Sequence, residues 1–118
     1  MKRWLIGVGF AVVAGAAAAE PVRSPQECVL LGDSAVVAHA LHRAGIADAK
    51  IAEVLIETHL PFVPEDGLAR WRVYLTKMVR LVNRKDMQEI TPAALGTTFA
   101  KVCHAANGDV DKIFGSDI

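Results

Sequence analysis

From residue 24 onward the apolar positions recur every three or four residues, and no stretch alternates apolar and polar residues long enough to make a half-exposed strand. Ser24-Pro25-Gln26-Glu27 marks the first helix start: Ser24 suits the cap, Pro25 the first helical position, and Glu27 the reach back to the cap. That helix runs through Ala44 and stops at Gly45, which tolerates left-handed terminal geometry. A second spans Asp48 to His59 with Ile51, Val54, Leu55 and Thr58 on one face. It ends because Pro61 disfavours helical geometry at Leu60. A third runs from about Leu68 to Asn83, with Leu68, Trp71, Leu75, Met78, Val79 and Val82 as its buried stripe. Thr91-Pro92 opens a fourth, which Asn107-Gly108 closes. The predicted fold is an all-α four-helix bundle over residues 25–108, with a short segment at 20–24 before it and a short tail at 109–118.

The first 19 residues follow a different pattern. Lys2 and Arg3 form a positive head, Trp4 to Gly15 an apolar core, and Ala17-Ala18-Ala19 a small-residue cleavage pattern that puts Glu20 at the mature N-terminus. Trp4–Ala19 is 16 residues rich in Ala and Gly, short for a membrane span of about 20 residues. The expectation is a cleaved export signal on a bacterial periplasmic or secreted protein, with no transmembrane span left after cleavage. The mature chain of 99 residues has room for one domain. Losing Lys2 and Arg3 leaves 11 basic against 13 acidic residues, a net charge of −2. That balance and the export signal both argue against nucleic-acid binding.

Export changes the meaning of the two cysteines. Cys103-His104 looks like the second half of a haem attachment site, but C-x-x-C-H requires a Cys where Ala100 stands, and no methionine follows His104. A disulfide is the better reading. Cys28 lies at the start of the first helix and Cys103 near the end of the fourth, and an up-down-up-down bundle puts those ends at the same pole. Cys28, Gly32, Ala35 and His39 recur at helical spacing on one helix, as do Gly96, Ala100 and Cys103 on the other, so small residues can let the helices approach closely.

Other chemistry is sparse. His39 and His42, at i and i+3, are the only candidates for a shared metal. They lack a third ligand once the thiols are bonded, so imidazoles at the partly solvated edge of the bundle are expected. No nucleophile–base–orienter set, phosphate loop or G-x-S-x-G context appears, and Glu65-Asp66 sits where acidic residues favour a helix start. Neither catalysis nor a cofactor is expected. Arg70, Lys77, Arg80, Arg84 and Lys85 fall within an arc of about 140° on the third helix, at 100° per residue. Such a stripe suits an acidic protein partner or an anionic envelope surface, or else is a solvated face neutralised by neighbouring carboxylates.

The export signal, the Cys opening the first helix, A-L-H-R-A-G at its end, V-Y-L in the third, and T-P-A-A-L…F-A-K-V-C together resemble small exported all-helical proteins of proteobacteria with no assigned function. The resemblance spans most of the mature chain and implies the fold and a Cys28–Cys103 bond, but no activity. A looser similarity is to the small periplasmic acid-stress chaperones, all-helical with one disulfide and a T-P-A segment before the second Cys. Here the cysteines stand much further apart. The expected function is a non-catalytic interaction module, the alternatives being an acid-stress-type chaperone and a metal-binding carrier.

Overall fold

The computed structural model describes residues 21–115, and every regular element among them is helical. Five α-helices follow one another: α1 (Pro25–Arg43), α2 (Asp48–His59), α3 (Leu68–Val82), α4 (Pro92–Ala105) and α5 (Val110–Phe114). Short 3₁₀ turns at Leu60–Phe62, Glu65–Gly67 and Lys85–Met87 lie in the connections. The export signal expected at residues 1–19 lies outside the described residues. No helix among those described is long and apolar enough to cross a membrane.

The helix ends follow from local chemistry. The Glu27 N–H donates to Ser24 Oγ at 3.2 Å, and the Ala94 N–H donates to Thr91 Oγ1 at 3.2 Å. Beyond α4, Asn107 and Gly108 take φ of 53° and 77°, the left-handed pair that releases the chain from the helix. On α2 the buried positions are Ile51, Leu55 and His59, whereas Thr58 is exposed. The inner face is therefore rotated by one position from the sequence expectation, bringing an imidazole inward.

The closest helix pair is α1 with α4, running antiparallel. Three contacts define the alignment: Cys28 bonds Cys103 near one end, Gly32 lies against Gly96 in the middle, and His39 reaches Ile90 at the far end. The disulfide joins Cα atoms 5.6 Å apart. A Cβ on Gly32 would sit 2.7 Å from the Gly96 carbonyl oxygen, and one on Gly96 would run into Val36 and lie 2.9 Å from the Gly32 carbonyl oxygen. The crossing has no room for a methyl group. Alanine normally stabilises a helix over glycine by up to about 1 kcal/mol, yet Gly96→Ala is expected to destabilise this fold by about 1–3 kcal/mol through overpacking. Urea denaturation checks this, and an unchanged or raised midpoint would contradict the seam.

One hydrophobic core fills the space between the helices. Trp71, Tyr74, Leu75, Met78 and Val82 of α3 meet Leu31, Ala35 and Ala38 of α1 and Ile51 and Leu55 of α2, all at 1% exposure or less. The short tail expected at 109–118 carries a fifth helix, so the four-helix count is corrected to five among the described residues. Asp109 caps α5 by accepting from the N–H groups of Asp111 (3.0 Å) and Lys112 (3.3 Å). Val110, Ile113 and Phe114 are buried, and the Phe114 ring packs 5.4 Å from that of Phe99. The segment before α1 is also tied down: Val22 is buried and its N–H donates to the Gly108 carbonyl at 2.9 Å. The packed domain therefore extends past the predicted boundary at residue 108.

Candidate functional site

α3 contains no acidic residue and four cations, Arg70, Arg72, Lys77 and Arg80. Packing sorts them between two faces. Arg70, expected on the exposed stripe, is instead buried at 5% exposure. Its Nη1 donates to Glu27 Oε1 at 2.6 Å and its Nη2 to Oε2 at 3.1 Å, a two-point clasp between α3 and the first turn of α1. Tyr74 Oη lies 3.4 Å from the same Nη1. Glu27 also accepts from the Arg23 N–H at 3.2 Å, so the carboxylate ties together the chain entry, α1 and α3. Burial alone would raise the Glu27 pKa, but the Arg70 hydrogen bonds and charge outweigh it and hold the carboxyl below its ordinary value. The same contacts raise the pKa of Arg70. This cation cannot serve an external partner, because it is spent inside the fold.

The remaining stripe also changes shape. α3 ends at Val82, so Arg84 and Lys85 lie beyond the helix and the angular projection does not apply to them. Arg84 grips Asp86 through Nε and Nη2, at 3.1 and 2.9 Å. Arg72, absent from the predicted stripe, joins Lys77 and Arg80 around a shallow depression of about 360 Å³ that Val73 and Thr76 complete. None of these three cations forms an ion pair with another described residue. The missed signal was the direction opposite the Trp71–Leu75–Met78–Val82 stripe. Helix geometry requires the solvent face to be centred there, and Arg72, Thr76 and Arg80 all lie on it.

Two of the four imidazoles, His39 and His59, are packed inside the fold. His39, expected at the solvated edge, is fully buried, and its Nε2 donates to the Ile90 carbonyl at 2.6 Å, which also receives Arg43 at 3.3 Å. His42 is half-buried. Among the described residues no group of three or more His, Cys, Asp or Glu could hold a metal ion. His59 is buried with Nδ1 3.1 Å from the Leu55 carbonyl oxygen, and burial pushes its pKa below the ordinary value despite that contact and the charge of Asp33. His104 is exposed beside the disulfide. Both sulfurs are consumed in the bond, leaving no thiol for a haem thioether.

One further concavity is almost wholly apolar. It lies between the end of α3, the 3₁₀ turn at Lys85–Met87, α4 and α5, with a volume of about 290 Å³. No protein-family model, curated protein or solved structure matches this chain.

Proposed function

We propose that this chain is a non-catalytic, extracytoplasmic interaction module that meets an anionic partner through the solvent face of α3. The observation that carries the reading is the set Arg72, Lys77 and Arg80, three cations around one depression on a helix without a single carboxylate. Clustered unpaired charge of one sign raises the local concentration of opposite charge and steers its approach. The side chains best suited to acid–base work support a binding role over an enzymatic one: Glu27 is taken up by Arg70, and His39 by the Ile90 carbonyl. The Cys28–Cys103 bond supports export, since structural disulfides persist in oxidising compartments, and the signal pattern of residues 1–19 supports it independently.

The test is charge reversal. Lys77→Glu/Arg80→Glu should weaken capture by phosphatidylglycerol vesicles or immobilised polyglutamate more than roughly tenfold at low salt, because each surface cation contributes about 1 kcal/mol toward an anionic surface. Helicity and melting temperature should stay as in the parent, because both side chains leave the core untouched. A parent protein that binds neither probe, or a variant that binds as well as the parent, would sink the reading.

A further inference from the structure

Leu81 at the end of α3, Ile90 before α4, Phe99 and Val102 on α4 and Phe114 on α5 wall the apolar groove of about 290 Å³. Sites for small molecules begin near this size, at roughly 300 Å³, and share its make-up: apolar walls with a few polar groups that fix orientation. Leu81, Phe99 and Phe114 close its floor as buried residues, while Ile90 and Val102 remain half-exposed along it. Apolar surface is thus left open to water inside a concave shape, which a flexible hydrocarbon chain can cover.

The charge at the groove narrows the ligand further. Among the described residues, Arg84 is the one charged side chain lining it. Its grip on Asp86 uses Nε and Nη2, which fixes the guanidinium plane and leaves Nη1 without a hydrogen bond to any described residue. The pair is exposed, at 42% and 56%, so it is worth at most about 1 kcal/mol and does not prevent a second carboxylate from joining. Asp86 and Glu89 oppose an incoming anion, but Arg80, Arg84 and Lys85 outnumber them in the same segment. One free guanidinium edge matches one carboxylate, whereas a phosphate dianion calls for more cations than the groove lining offers.

We propose that this groove binds a single-chain fatty carboxylate, its hydrocarbon along Phe99, Val102 and Ile90 and its carboxylate on Arg84 Nη1. The site is separate from the depression between Arg72 and Arg80, and it adds a small-molecule ligand to a protein read above as a surface-binding module.

Titration calorimetry with decanoate below its micellar concentration tests this, with decanol as the uncharged arm. Disulfide-bonded protein should bind decanoate saturably, one molecule per chain. Val102→Trp, which fills the groove, should weaken binding of both probes more than roughly tenfold. Thr98→Trp, placed at the exposed edge of the groove, gives the same reading should Val102→Trp fail to fold. Arg84→Gln should weaken decanoate roughly three- to tenfold, the scale of one charge-assisted hydrogen bond at a partly exposed site, and leave decanol unchanged. Absence of saturable binding, or decanoate binding that survives a folded Trp variant, would overturn the site. Equal loss for both probes in Arg84→Gln would overturn the role of Arg84.

Discussion

Glu27→Ala is expected to destabilise the fold by about 3–5 kcal/mol, the range for removing one partner of a buried ion pair. The variant strands the Arg70 guanidinium, whose side chain is 3% exposed and pairs with no other carboxylate among the described residues. It also removes the hydrogen bond from the Arg23 N–H to Glu27 Oε1. Glu27→Ala/Arg70→Met should recover most of the loss, because an apolar side chain of similar length fills the space without a stranded charge. Urea denaturation of the three proteins measures this. A loss below about 1 kcal/mol for Glu27→Ala would mean that the pair is solvated and does not hold α1 to α3.

The same pair predicts how stability changes with acid. Glu27 titrates below its ordinary 4.5 in the fold, so its contribution is complete above that pH and is lost as pH falls through the folded value. His59 also titrates below its ordinary 6.5, because burial favours the neutral ring; its contribution is complete above 6.5 and declines below it. Stability should therefore fall in two stages on acidification. The lower stage should disappear in Glu27→Ala/Arg70→Met and the upper one remain.

Cys28→Ala/Cys103→Ala should lower stability by about 2–5 kcal/mol. The bond joins residues 75 apart, and loop-closure entropy alone gives roughly 4.5 kcal/mol for that separation, less any order left in the unfolded chain. The neighbouring Gly32–Gly96 contact in the middle of the seam cannot compensate at the disulfide end, since neither glycine brings a side chain to pack. The change should appear as a lower urea midpoint and faster exchange of the α4 amides. A double variant as stable as the parent would make the disulfide incidental to the fold.

Boundaries were legible wherever the chemistry acts within one turn. Ser24-Pro25, Thr91-Pro92 and Asn107-Gly108 each satisfy or release their own neighbouring backbone groups, and each marks a helix end in the structure. The disulfide was legible because bundle topology fixes which helix ends share a pole. Arg70 was not, because its partner lies 43 residues away and a helical projection treats every cation alike. Nor could the projection place Arg84 and Lys85, since the helix on which it was drawn ends at Val82. The spacing Val110, Ile113, Phe114 behind a capping Asp was there to be read. So short a helix is marginal by itself, however, and owes its order to packing such as that of Phe114 on Phe99. The groove was hidden for the same reason: its walls come from three helices and a turn, and no single element carries its shape.

The protein proposed above is exported and closed by one internal disulfide. Intact mass of the protein recovered from the cell envelope or medium, before and after reduction, tests it most directly. The expected result is a chain beginning at Glu20 that gains the mass of two hydrogens on reduction and takes up alkylating reagent only after it. A chain that retains Met1, or one whose Cys28 and Cys103 alkylate without reduction when denatured, would contradict it.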